Sequence, residues 1–355
     1  MESLYTPYKI FHFPDKLKTL SRSNASLSAP IHVRIKATNL CAHHCWYCAY
    51  RAESLELGAD MVERDHIPAE KMQEIISDME EIGVQAVTFS GGGDPFYYKT
   101  FLETVKRLAE GPIKFASLTN GARLSGEVAE VFAHHGTWLR ISLDGWDDVS
   151  YSRYRGVRIG EHSKLLRNLS TFKQLGGDCH LGVSLIVDQD NARHVEETIR
   201  RLQDIGVNSV KVAPCITSND GALSNQYHKP IFSLVRSQLE RLKSQNYDES
   251  FEIFDAYHEL DSKFGKSYSW CPYLQILCVI GADLNVYSCQ DKAYTKKGLL
   301  GSLKNKTFSE FWFEGKEKFF GIDPRRDCKH HCVANKKNHM LVNYLAANLD
   351  HLFFV

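Results

Sequence analysis

Residues 31–48 read IHVRIKATNLCAHHCWYC, a short β-type run followed by three cysteines within eight positions. The run at 31–37 predicts a strand, and Cys41, Cys45 and Cys48 then share the loop that leaves it. Three thiolates on one short loop can hold three irons of a cubane, leaving the fourth iron open to a small ligand. Two other chemistries use the same residues. Cys45 and Cys48 alone make a dithiol pair, although that motif normally opens a helix in a thioredoxin-like unit. With His43 or His44, the three thiols also satisfy structural zinc. Zinc fingers, however, usually form small autonomous units, whereas this loop heads a long array.

Outward from this stretch, β-type runs recur at 85–89, 113–118, 138–143, 180–187 and 209–213. Between them lie segments with helical periodicity, clearest at Met72, Ile75, Ile76, Met79 and Ile82, preceded by Pro68 and followed by Gly83. Crossovers long enough for a helix predict parallel strands, in a doubly wound sheet or an incomplete TIM-like barrel. Either architecture puts chemistry at the C-terminal strand ends. There the sequence has Thr38 to Cys41, Ser90 to Pro95 (SGGGDP), Thr119-Asn120-Gly121, Asp144-Gly145 and Pro214-Cys215. Beyond Pro214 the alternation fades. Residues 217–229 read as a polar loop, a helix is expected near 231–243, and an apolar-aromatic run covers 251–254.

Lys+Arg 43 balances Asp+Glu 43, which removes the electrostatic case for nucleic acid or a membrane surface as partner. With 43% hydrophobic and 24% charged residues, the chain has the composition of a folded protein. The first 20 residues lack a signal-peptide pattern, and no stretch is long and apolar enough to span a bilayer. A cytoplasmic location is expected, where ten clustered cysteines point to metal or redox chemistry rather than disulfides.

The CxxxCxxC spacing after the first strand, the aromatic Tyr47 beside the last cysteine and the GGGDP after the second strand resemble the radical S-adenosylmethionine (SAM) enzymes. The resemblance implies a partial (βα)6 TIM-like barrel with a [4Fe-4S] cluster on Cys41, Cys45 and Cys48. SAM would bind the open iron, and its reductive cleavage would give a 5′-deoxyadenosyl radical that takes a hydrogen atom from substrate. Residues 90–94 match the family's GGE-type motif for the methionyl amine, with Gly91, Gly92, Gly93 and Asp94 as cofactor-binding residues. Asp94 is one methylene shorter than the usual Glu, so the glycine backbone is expected to contribute more than the acid. Ser142 and Arg155 resemble the residues that bind the methionyl carboxylate or ribose, and an arginine fork suits a carboxylate.

The C-terminal cysteines resemble a twitch domain, a shortened relative of the SPASM extension, with Cys271, Cys289, Cys328 and Cys332 on one auxiliary [4Fe-4S] cluster. Cys278 falls inside the apolar run 276–280, a setting that favours burial, and residues 280–289 read as a hairpin delivering Cys289. A zinc ribbon on the same four thiols is the alternative. The expected divisions are an N-terminal extension (1–30), a radical SAM barrel (31–250), a small cysteine-rich auxiliary domain (251–334) and a C-terminal helix and tail (335–355).

An auxiliary cluster that accepts the second electron implies dehydrogenation of an alcohol, in a sugar, aminocyclitol or nucleotide-linked sugar, with a flavodoxin or ferredoxin as reductant. Epimerisation is the alternative, with Cys215, just past the sixth strand, returning a hydrogen atom. A lone buried cysteine is more often simply a small hydrophobe, and Cys179, at the opposite strand end, reads as structural. Peptide modification is the third reading. About 30 residues precede the first strand, too few for the winged-helix leader-binding domain of many such enzymes. Outside catalysis stands a zinc-binding interaction protein. His258 and Glu259 are candidate substrate contacts, although such a pair is commonly a surface salt link.

Overall fold

A computed structural model describes residues 4–245 and 250–354. Among the described residues ten strands form one sheet: β1 (His32–Ile35), β2 (Ala86–Phe89), β3 (Lys114–Thr119), β4 (Trp138–Leu143), β5 (His180–Val187), β6 (Ser209–Pro214), β7 (Glu252–Asp255), β8 (Leu277–Ile280), β9 (Asn285–Tyr287) and β10 (Leu299–Ser302). Their order is β10-β9-β8-β1-β2-β3-β4-β5-β6-β7, so the sheet is not closed and the architecture is a partial α/β barrel. Every pairing from β8 through β7 is parallel, while β9 and β10 continue antiparallel.

The crossover helices bury one stripe each. In Ala69–Ile82 the residues Met72, Ile75, Ile76 and Met79 are fully buried, at spacings that share one helix face. Each such side chain contributes about 1.5–3 kcal/mol of burial. The helix stops at Gly83, whose φ of 84° needs glycine's freedom. Beneath it, Val33, Ile35, Val87 and Phe89 supply the sheet face of the same core.

The other face of the strands is polar. Alternation along β1 turns His32, Arg34 and Lys36 inward, β4 adds Arg140 and Ser142, and β6 adds Lys211. His32 Nε2 lies 2.8 Å from Thr88 Oγ1 across the β1–β2 pair. The barrel interior is therefore built for polar contents rather than a dry core. Tyr5 packs against Phe254 with ring centroids 3.8 Å apart and planes tilted by 59°, and Arg140 lies over Tyr5.

Three features differ from the sequence reading. The run at 251–254 holds β7, paired with β6, so the division expected at residue 250 falls within the sheet. The C-terminal region joins the same sheet, because β8 pairs with β1 through Val33↔Cys278 and Ile35↔Ile280. The polar segment 217–229 contains a helix, Gly221–His228, capped by the Asp220 side chain, which accepts from the Ala222 and Leu223 amides. The expected hairpin is present as β8–β9, and the expected C-terminal helix spans Asn335–Leu345. Among the described residues no helix is long and apolar enough to cross a membrane.

Candidate functional site

The C-terminal strand ends converge on the three-cysteine loop. Cys41, Cys45 and Cys48 are free and half-buried. The loop's backbone is pinned from outside: the His44 amide donates to the Arg155 carbonyl at 2.7 Å, and the Arg51 guanidinium holds the His43 carbonyl at 2.9 Å. Asn120, at the end of β3, points its amide nitrogen at the Cys41 sulfur, 3.8 Å away. Burial pushes the Cys45 thiol up to about 11, against the pull of the nearby Arg155 guanidinium. Asp144 and the Cys48 and Cys41 sulfurs add to the rise, so thiolates here need a cation to neutralise them.

The GGGDP turn folds onto the stem of this loop. A side chain at Gly92 would meet Asn39 Oδ1 at 1.9 Å, and one at Gly93 would meet the Leu40 carbonyl at 2.1 Å. The glycines thus permit contact with residues 39–40, a closer demand on them than the ligand approach expected from sequence. Asp94 is engaged within the protein. Its Oδ1 accepts from the Phe96 amide (3.0 Å) and Thr119 Oγ1 (3.0 Å), and its Oδ2 from the Asn120 amide (2.6 Å) and Thr119 (2.9 Å). Through these bonds the carboxylate ties the end of β2 to the end of β3. Ser90, just before the turn, has a buried hydroxyl without a partner.

Asp144, after β4, organises the opposite wall. Its Oδ1 accepts from Arg155 Nε at 3.0 Å and from the Gly145 amide at 2.8 Å, and its Oδ2 accepts from the Tyr47 hydroxyl. Tyr47 therefore ties the cysteine loop to β4. Arg155 is 2% exposed, and its second terminal nitrogen, NH2, has no partner among the described residues. A buried guanidinium nitrogen beside three free thiols, with an unpartnered Ser90 hydroxyl on another strand end, fits an anionic ligand held next to a thiolate-bound metal. Ser142 is half-buried on the inward face of β4, opposite Ser184 in register.

Cys215 is 1% exposed beyond β6. Burial, with Asp188 and Asp144 nearby, pushes its thiol up to about 12, so it stays an S–H group at neutral pH. Its carbonyl accepts from His228 Nε2 at 2.8 Å. A cavity of about 320 Å³ at the same end is lined by Trp46, Tyr154, Asp188 and Tyr227 among others. Asp188 anchors Oδ1 on the Asp190 and Asn191 amides, at 3.1 and 3.0 Å. His258 and Glu259 do not pair with each other. His258 Nδ1 meets Asp255 at 2.6 Å and Glu259 meets Lys263 at 2.8 Å, both local links.

The second cysteine set gathers Cys271, Cys289, Cys328 and Cys332. Burial drives the Cys289 thiol well up, and Asp291 with the Cys332, Cys271 and Cys328 sulfurs adds to the rise. Cys278 stays apart: it is fully buried on β8, in register with Val33 of β1, and the charges that act on it are Lys16 and Lys318. Cys179 is likewise a buried member of the main core. Between the two sets, Lys36 Nζ donates to the Tyr50 hydroxyl and the Gly91 carbonyl, and Tyr50 feels both Cys48 and Cys289. Tyr294 donates to Asn39 Oδ1 at 2.6 Å, joining the C-terminal segment to the stem of the first cysteine loop.

Sequence reasoning passed over Lys36 and Asp188, and placed Asn120 and Asp144 at strand ends without their bracing roles. For Lys36 the signal was the polar alternation in IHVRIKA; for the others it was simple placement at a strand end.

Residues 35–202 match the family model of the Radical SAM superfamily. PqqA peptide cyclase from Bradyrhizobium diazoefficiens is 26% identical over 194 residues, 54% of this chain and 48% of that protein. The chain thus spans about half the length of that curated relative. SuiB of Streptococcus suis, bound to its precursor peptide SuiA, superposes with a TM-score of 0.65 at 17% identity, covering 92% of this chain and 73% of that one. Native anSMEcpe with bound AdoMet gives 0.58 at 16% identity, covering 89% and 97%.

Proposed function

The chain carries a radical SAM domain across residues 35–202, and from that premise we propose an oxidoreductase that dehydrogenates an alcohol in a small polar substrate. Radical SAM enzymes use a [4Fe-4S] cluster and SAM, and the thiols available here are Cys41, Cys45 and Cys48. Cys271, Cys289, Cys328 and Cys332 would hold an auxiliary cluster. When bound, these groups supply the electron that cleaves SAM to a hydrogen-abstracting radical and an acceptor for the electron released by the substrate.

The chain's own residues do the positioning. Arg155 offers its free NH2 nitrogen to the SAM carboxylate while Asp144 fixes its plane. Ser142, the Ser90 hydroxyl and the 91–93 backbone would add polar contacts to the same ligand. Tyr47 and Asp144 hold the cysteine loop against β4. In the cavity above, Trp46 and Tyr227 offer aromatic faces to a sugar-like ring. Asp188, anchored through Oδ1, accepts the hydroxyl proton as the carbonyl forms.

What supports this reading is the supply of two thiol sets, Cys41, Cys45 and Cys48 with Cys271, Cys289, Cys328 and Cys332, all of them free. Epimerisation draws support from the protonated, buried Cys215 thiol. Peptide modification draws support from the likeness to PqqA peptide cyclase.

The test is anaerobic turnover with SAM and reduced flavodoxin on polyols, aminocyclitols and nucleotide sugars deuterated at the carbinol carbon. Deuterium in 5′-deoxyadenosine with an equivalent of carbonyl product supports dehydrogenation. Inverted alcohol with solvent hydrogen at that carbon supports epimerisation, and deuterium transfer from peptides alone overturns both.

A further inference from the structure

Beside the second cysteine set lies a buried side chain of a metal-ligating type. His330 lies between Cys328 and Cys332 in the sequence and is 6% exposed. Among the described residues neither of its ring nitrogens has a hydrogen-bond partner. A ring nitrogen of His330, the Cys289 sulfur and an Asp291 carboxylate oxygen all lie within 4.8 Å of one another.

Buried imidazoles are ordinarily oriented by a hydrogen bond or a metal. The surroundings of His330 leave its ring free: Lys266 takes its backbone carbonyl, and the Val333 amide takes Asp291 Oδ2. The adjacent His331 ring rests edge-on against Phe264 instead. His330 is therefore the histidine of the CKHHC segment that is turned to the Cys289 corner, withdrawn from water and unsatisfied.

Resting on the two-cluster reading above, we propose that His330 is a reserve ligand of the auxiliary centre, able to take the iron that Cys289 holds. Exchange of a thiolate for a neutral imidazole removes one negative charge from the centre and raises its reduction potential, as histidine ligation does in iron–sulfur proteins generally. The choice between Cys289 and His330 thus sets how readily the centre accepts an electron. Ligand exchange itself transfers no electron; the displaced thiolate takes up a proton from solvent.

The test uses the full chain, reconstituted anaerobically. Cys289→Ala should keep about eight irons, the content of two four-iron clusters. Its auxiliary signal should show nitrogen hyperfine coupling in pulsed electron paramagnetic resonance, and the pattern should change on ¹⁵N-histidine labelling. Adding His330→Ala should lower the content to about four irons. Cys289→Ser repeats the experiment with a smaller change should the alanine variant fold poorly. A well-folded Cys289→Ala with about four irons, or about eight without nitrogen coupling, overturns the inference alone. A wild-type chain with about four irons, or with zinc at the second site, overturns the two-cluster reading and this inference together.

Discussion

Replacing Arg155 with lysine separates its two tasks. In the wild type, Nε is bonded to Asp144 at 3.0 Å, with side chains 2% and 0% exposed, while NH2 is free for a ligand. Lysine keeps the charge but has one nitrogen, so it can serve Asp144 or the ligand, not both in that geometry. If it stays with Asp144, SAM loses a charge-assisted hydrogen bond of about 1.5–3 kcal/mol, roughly 10- to 150-fold in Kd. If it turns to the ligand, Asp144 loses a buried ionic partner, and removal of one such partner costs about 3–5 kcal/mol of stability. Isothermal titration with SAM and a thermal melt of the same reconstituted protein read both quantities. Arg155→Met should show both losses together. The reasoning fails if Arg155→Lys binds SAM within twofold of wild type and melts at the same temperature.

Other parts of the structure respond in their own ways. Gly93→Ala puts a methyl group 2.1 Å from the Leu40 carbonyl, so the cysteine loop should shift and iron content should fall; unchanged iron analysis contradicts this. The Lys316 ammonium binds the carbonyls of Thr19, Ser21, Asn24 and Ser26 at 2.5–3.2 Å. Lys316→Ala should cost about 3 kcal/mol and open residues 21–28 to proteolysis, read by denaturant titration and mapped cleavage. Burial lowers Lys211 to about 8, with Arg140 adding to the shift. Because the unfolded chain then binds more protons between about pH 8 and 10.5, stability should rise with pH across that window. Lys211→Met should be more stable than wild type by about 3 kcal/mol at neutral pH, with the gap closing above pH 8; a constant gap across pH-resolved melts contradicts it.

The catalytic end of the barrel was readable because its residues sit in local sequence motifs. CxxxCxxC and SGGGDP each announce a strand end, the Arg155-Gly156 step closes the helix Asp148–Arg155, and the structure brings their backbones together. Other features depend on contacts distant in sequence. The pairing of β8 with β1 joins residues some 245 positions apart, which the period of either run leaves unstated. The same pairing explains why Cys278, between Leu277 and Val279, faces a core shared with Val33. The helix at Gly221–His228 was hidden by its polar composition, although Asp220 is a good cap. The role of Asp94 was hidden by its motif, since sequence could not show that Thr119 and Asn120 already satisfy it.

The central claim is that one thiol set supports SAM cleavage while the other couples it to product. The most direct measurement is 5′-deoxyadenosine formation, alongside iron content, by reconstituted wild type, Cys45→Ala and Cys332→Ala. The account predicts about eight irons and SAM cleavage in wild type, none in Cys45→Ala, and continued cleavage without product in Cys332→Ala. Zinc in place of iron in the wild type, or cleavage lost equally in a well-folded Cys332→Ala, contradicts it.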